Sequence, residues 1–136
     1  MIVERMRRVR PETAPRWGVM TAPQMVVHLT DALRMATGDL VVRGKQHPVR
    51  FPPLKQLLIY VLPMPKGSPT ARELQARVPQ AFAGEQEAFG AAMERFARRD
   101  PAEPWPPHPL FGAMSRRDWG VLAYRHCHHH LTQFGA

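Results

Sequence analysis

Ser115-Arg-Arg-Asp-Trp-Gly-Val-Leu-Ala-Tyr-Arg-His-Cys-His-His-His-Leu-Thr-Gln-Phe134 is the stretch on which the reading of this chain turns. Ser115 stands three residues before Asp118. At that spacing a hydroxyl accepts the backbone N–H of the third helical residue while that residue's side chain reaches back. A helix over about 115–134 follows. On a wheel of about 100° per residue, His126 and His130 fall about 40° apart, on the face that carries Trp119, Leu122 and Gln133. His129 lies beside that face and His128 points roughly the opposite way. Two imidazoles at i and i+4 can aim at one ion, the arrangement of helical zinc sites. The flanks are amphipathic and the chain continues, so the run is no expression tag.

The same opening device recurs upstream. Thr21 precedes Gln24 and Thr70 precedes Glu73 at the same spacing, and Pro23 lies in a first turn, where proline costs no hydrogen bond. The spacing of Met25, His28, Leu29, Ala32, Met35 and Ala36 predicts an amphipathic helix over about 22–37, stopped by Gly38. A loop broken by Gly44, Pro48, Pro52 and Pro53 leads to a shorter apolar helix over 54–62. Pro63, Pro65, Gly67 and Pro69 break the chain again. A long helix over about 79–99 buries Phe82, Phe89, Met93 and Phe96, and a proline-rich connector follows it. Residues 3–10 add a partial turn or helix. No strand alternation appears. The expectation is all-α: one domain over residues 1–136, a four-helix bundle with long Pro-rich connections.

Two ligands make a poor site, and a third should come from a facing helix. His28 is the only histidine on another predicted helix, and it sits in that helix's apolar stripe. A buried imidazole needs partners for its polar atoms. Alone, His28 reads as a hydrogen-bonded core histidine; with His126 and His130 it reads as a metal ligand. The chain has one cysteine, Cys127, so neither an intrachain disulfide nor a cysteine-rich zinc site can form. Cys127 reads as buried packing. His108, in the loop before the last helix, is the candidate catalytic residue, as a general acid–base or substrate contact on the open side of the ion. Asp31 and His129 are read as solvated or packing residues that also lie within reach of an orienting or fourth-ligand role. His47 reads as exposed.

The net charge is +8 and the pI about 11. Such a balance suits a polyanion, but the arginines are scattered, and a nucleic-acid partner ranks below a metal centre. That third reading predicts His28 remote from His126 and His130. No apolar run is long enough to span a membrane, and the N-terminus lacks the apolar stretch of a secretory signal. A cytoplasmic protein without a membrane partner is expected.

The motifs then converge on a family. Trp17-Gly-Val-Met-Thr-Ala-Pro-Gln-Met-Val-Val-His28-Leu, His108-Pro-Leu-Phe-Gly112, Asp118-Trp-Gly and Tyr124-Arg-His126-x-x-His129-His130-Leu-x-Gln133-Phe-Gly together resemble the DinB-like superfamily, in a branch of unknown function. The likeness covers both ends; residues 39–100 match only in general character. It implies a four-helix bundle with a three-histidine site, carried here by His28, His126 and His130. The ion implied is divalent, with zinc or nickel foremost and iron or manganese as further options. Some relatives are thiol-dependent transferases or isomerases acting with a low-molecular-weight thiol, and a homodimer is common among them. Whether this chain is an enzyme is left open. A metal-dependent thiol transferase or a hydrolase fits an open coordination position, while a non-enzymatic, metal-braced binding protein fits a closed site. No acidic residue stands out as a general base for hydrolysis.

Overall fold

A computed structural model of the chain describes residues 1–67, 70–75 and 77–136; Pro69, one of the loop breakers above, lies outside them. The elements are α1 (Ile2–Arg8), α2 (Ala22–Thr37), α3 (Leu54–Gln56, continued by a π-helical turn, Leu57–Val61), α4 (Phe82–Ala97) and α5 (Arg116–Gln133). Among the described residues there is no strand, only a single bridge between His108 and Gly112. The all-α expectation holds.

Two of the three expected caps form as read. Thr21 Oγ1 accepts from Gln24 N–H at 3.3 Å while Gln24 Oε1 accepts from Thr21 N–H at 2.9 Å. Ser115 and Asp118 exchange the equivalent pair at 3.0 and 2.9 Å. Gly38 ends α2 at φ 82°, the left-handed conformation that glycine adopts without strain, and its N–H returns to Met35 O. Thr70 caps no turn among the described residues. A short 3-10 turn begins two residues after it at Arg72, with Ala71 at the cap position, and Glu73 instead accepts the Arg43 N–H at 3.4 Å. α4 starts at Phe82 rather than 79, because Glu85 in its first turn takes the Gln80 N–H at 3.0 Å and anchors the chain outside the helix.

α2 is the central helix. It packs on α4 and α5, and residues on nearly all its sides are buried, among them Met25, Val26, Leu29 and Leu33. α1 is a full member of the bundle: it lies across α4 and α5, with Ile2 and Met6 in one core cluster with Phe89, Cys127, Leu131 and Phe134. The sequence reading made 54–62 the fourth helix, but that segment contributes only Ile59 as a fully covered side chain and leans on α5. Arg125 of α5 donates to the carbonyls of Leu58, Ile59 and Leu62, groups that the end of a helix leaves without intrahelical partners. A second apolar cluster, around Met35, Ile59, Phe111 and Trp119, closes the other end of the bundle, and Trp119 Nε1 donates to Pro106 O at 2.9 Å.

Away from the histidines, a charged cluster joins α2 to α4. Asp31 and Glu85, 2% and 4% exposed, share Arg77, which donates to Asp31 at 3.3 Å and to both Glu85 oxygens at 2.9 Å. Burial pushes the Glu85 carboxyl up, yet the Gln80 N–H and the Arg77 guanidinium together hold it below its ordinary value.

Candidate metal centre

The packing of α2 against α5 brings together the three histidines singled out from the sequence. His28 Nε2 and His126 Nε2 lie 2.9 Å apart. Ring centroids are 4.8 Å apart for His28 and His126, and 4.9 Å for each of these with His130, all in edge-to-face arrangements. One nitrogen from each ring falls within 4.8 Å of the other two. Local sequence explains the convergence. The capped start of α2 sets His28 on its buried side, and the i, i+4 spacing on α5 stacks the other two one turn apart.

A hydrogen bond between two neutral imidazoles would account for the His28–His126 pair but would leave the third ring without a role. An ion accounts for all three. Zinc–imidazole bonds of about 2.0–2.1 Å set ligand nitrogens roughly 3.3 Å apart, a spacing that small ring rotations reach from here. The donor chemistry also fits. Burial lowers the His28 pKa to about 4, with the nearby Leu74 carbonyl pulling the other way. Burial, then the charge of His28, lowers His130 to about 4 as well. His126 is held well below its ordinary value by burial and by its histidine neighbours. All three rings are therefore neutral at pH 7, the form that binds metals.

Gln133 is the functional residue whose role sequence reasoning missed, although it stood on the histidine face. Its Oε1 lies 2.7 Å from His130 Nδ1 and its Nε2 donates to Trp17 O at 2.8 Å. The amide oxygen can only accept, so His130 carries its proton on Nδ1 and leaves Nε2 for a ligand bond. Gly18 makes room for this arrangement. Its φ is +78°, and a Cβ there would stand 3.0 Å from Gln133 Nε2. The buried Nδ1 of His28 has no hydrogen bond of good geometry, the Leu74 carbonyl included.

No carboxylate joins the three histidines among the described residues. Asp31 is committed to Arg34 at 3.1 Å and to Arg77. His129 sits edge-on to Trp17 at 5.6 Å, with Lys66 on the same indole at 4.4 Å. His128 is exposed and accepts from Arg5 at 2.9 Å. Cys127 is buried, burial pushes its thiol up to about 12 so that it is no nucleophile near pH 7, and it does not join the histidine cluster. His108 lies in the turn ahead of α5. Its Nδ1 accepts the Leu110 and Phe111 N–H groups at 3.0 and 3.2 Å, and burial lowers its pKa to about 4. With Nδ1 accepting, its proton sits on Nε2, and its charge when protonated is felt at His126.

The profile of the DinB superfamily matches the chain over residues 6–134, nearly its whole length. Comparison with curated proteins and with solved structures gives no match.

Proposed function

We propose that this chain, which belongs to the DinB superfamily, holds a divalent metal ion through His28, His126 and His130 and activates a low-molecular-weight thiol for transfer or isomerisation. The observation that carries the reading is the meeting of three neutral imidazoles from two helices with no carboxylate beside them among the described residues. A divalent ion bound there offers open positions at which the pKa of a thiol or water falls.

The rest belongs to the chain. His28 and His126 are kept neutral by burial, and Gln133 fixes the tautomer of His130. Cys127 cannot supply the thiol, so the thiol must be a separate molecule. A hydrolase would need a base for water. The buried carboxylate on α2, Asp31, is tied up in ion pairs, which supports the thiol over the hydrolytic alternative. His108, neutral at pH 7, suits a hydrogen-bond donor through Nε2 better than a proton-donating imidazolium.

A purely structural ion is the second reading, favoured by the depth of His28, which is 5% exposed. Such sites usually have four protein ligands, and the two residues weighed for that role, Asp31 and His129, are engaged elsewhere. An incidental histidine cluster in a nucleic-acid-binding domain predicts distant rings, against the 2.9 Å contact.

The test is metal content by mass spectrometry on tag-free protein, with His28→Ala and His130→Ala beside it. About one ion per chain, lost in both variants, supports the site. Thiol-dependent turnover by the loaded protein then separates the enzyme from the metal-braced binding protein. Absence of metal in the wild type after incubation with zinc or nickel would sink both readings.

A further inference from the structure

The basic residues are scattered along the chain, but the acidic ones are not. Residues 40–72 hold Arg43, Lys45, Arg50, Lys55, Lys66 and Arg72 and no Asp or Glu. The remainder of the chain has 13 basic and 11 acidic residues, so six of the eight net positive charges reside in this one segment. Every lysine of the chain lies in it. None of its basic side chains forms an ion pair among the described residues, although Glu73 is felt from Arg43 and Lys45, and Asp118 from Lys55.

The same segment exposes the chain's densest set of large apolar side chains. Phe51 and Val61 are 64% and 65% exposed, and Leu54, Leu57 and Leu62 about 40%. Leu54, Leu57 and Val61 recur at i, i+3 and i+7, so they share one side of α3 and its π-helical continuation, while Ile59 faces the protein. Apolar patches of this kind with a polar rim mark interaction surfaces.

We infer that the described part of residues 40–67 forms a docking surface for an anionic lipid bilayer, with Phe51, Leu54, Leu57 and Val61 entering the headgroup layer and the exposed Arg43 and Lys45 meeting lipid phosphates, while Lys55 and Lys66 are held on the protein by the Ala113 carbonyl and the Trp17 ring. Charge complementarity selects the partner, because a basic segment without acids fits an anionic face. Lys45 favours lipid over protein, since its long apolar stem and charged tip suit a bilayer interface, whereas protein–protein interfaces are depleted in lysine. The sequence expectation of no membrane partner rested on the lack of a spanning segment, and among the described residues no helix is long and apolar enough to cross a membrane. A surface-bound segment needs none.

Sedimentation of the intact chain with phosphatidylserine-rich vesicles, against phosphatidylcholine vesicles, tests this. The variants are Phe51→Ser/Val61→Ser and Arg43→Gln/Lys45→Gln, whose side chains are exposed. The expected result is association with the anionic vesicles alone, weakened by salt. Each lost cation should lower partitioning about fivefold. The apolar pair should lower it further, with an unchanged melting profile in both variants. No association of the wild type at low salt overturns the inference. So does binding that salt abolishes but Phe51→Ser/Val61→Ser leaves intact, since nothing then enters the bilayer. So does self-association without vesicles that the same double variant removes, which would make this face a contact between two copies of the chain.

Discussion

Replacing Gln133 by leucine keeps the bulk of a side chain that is 5% exposed while removing both of its polar contacts, 2.7 Å to His130 Nδ1 and 2.8 Å to Trp17 O. Two effects follow, and they are separable. The His130 ring loses the acceptor that fixes its tautomer, and the loss of such an outer partner lowers metal affinity roughly 10–100-fold, about 1.4–2.7 kcal/mol. The metal-free protein also loses two hydrogen bonds and leaves the Trp17 carbonyl without its donor, a cost of about 1–3 kcal/mol in unfolding free energy. Competition of the protein with a chromophoric chelator for zinc measures the first, and urea unfolding of the metal-free protein measures the second. Gln133→Glu restores an acceptor and should recover zinc affinity more than stability, since it cannot donate to Trp17 O. If Gln133→Leu destabilises the apo-protein but binds zinc as tightly as wild type, Gln133 merely braces the 16–18 loop and its assigned part in the metal site is wrong.

Other consequences can be checked on the same protein. Gly18→Ala should cost about 1–2 kcal/mol, because its φ of +78° strains any other residue and the new Cβ meets Gln133 Nε2 at 3.0 Å; zinc affinity should fall with it, and a variant that lost stability alone would uncouple the two. Arg77→Met leaves the buried Glu85 carboxylate without its guanidinium and Asp31 with Arg34 alone, so a loss of about 3–5 kcal/mol is expected in chemical unfolding, and a loss below about 1 kcal/mol would show that water reaches the pair. The His108 pKa falls from 6.5 to about 4 on folding, so the unfolded chain takes up the proton first as pH drops. Stability contributed by neutral His108 is full above about pH 6.5 and is lost as pH falls towards 4, on the order of 3 kcal/mol in all. In His108→Asn the midpoint of metal-free unfolding should vary less steeply across that window, and an identical slope would mean that His108 is solvated.

The candidate histidine cluster was legible because its signal is local. His126 and His130 share a face by helix geometry, and His28 stands out as a polar residue in an apolar stripe. The caps at Thr21 and Ser115 were legible for the same reason. What escaped depends on residues distant in sequence. The Thr70 motif has a cap's spacing, but Glu73 is drawn to Arg43, 30 residues earlier. The sequence predicts a partial turn or helix over 3–10 but not the place of α1 in the bundle, because that depends on Arg5, which ties it to His128 and Thr132 of α5 and to the Ala136 carbonyl beyond it. The Arg77 bridge between Asp31 and Glu85 shows in no spacing, because each carboxylate comes from a different helix. Gln133 was visible as a face neighbour, but its acceptor role needs the position of the Trp17 loop.

His28 and His126 are 98 residues apart in the chain, and the remaining ring follows one turn later. During synthesis α2 therefore leaves the ribosome long before its partner, and a lone imidazole on it has little hold on an ion. Loading of such a site would wait for α5, when the mature bundle competes for metal with every other protein in the compartment. An ion held there would then reflect what is free at that moment as much as what the three imidazoles prefer. Once bound, it would close a loop of that length and cross-link the middle of one helix to the late turns of another, adding a tie between α2 and α5 to the apolar packing that joins them without metal.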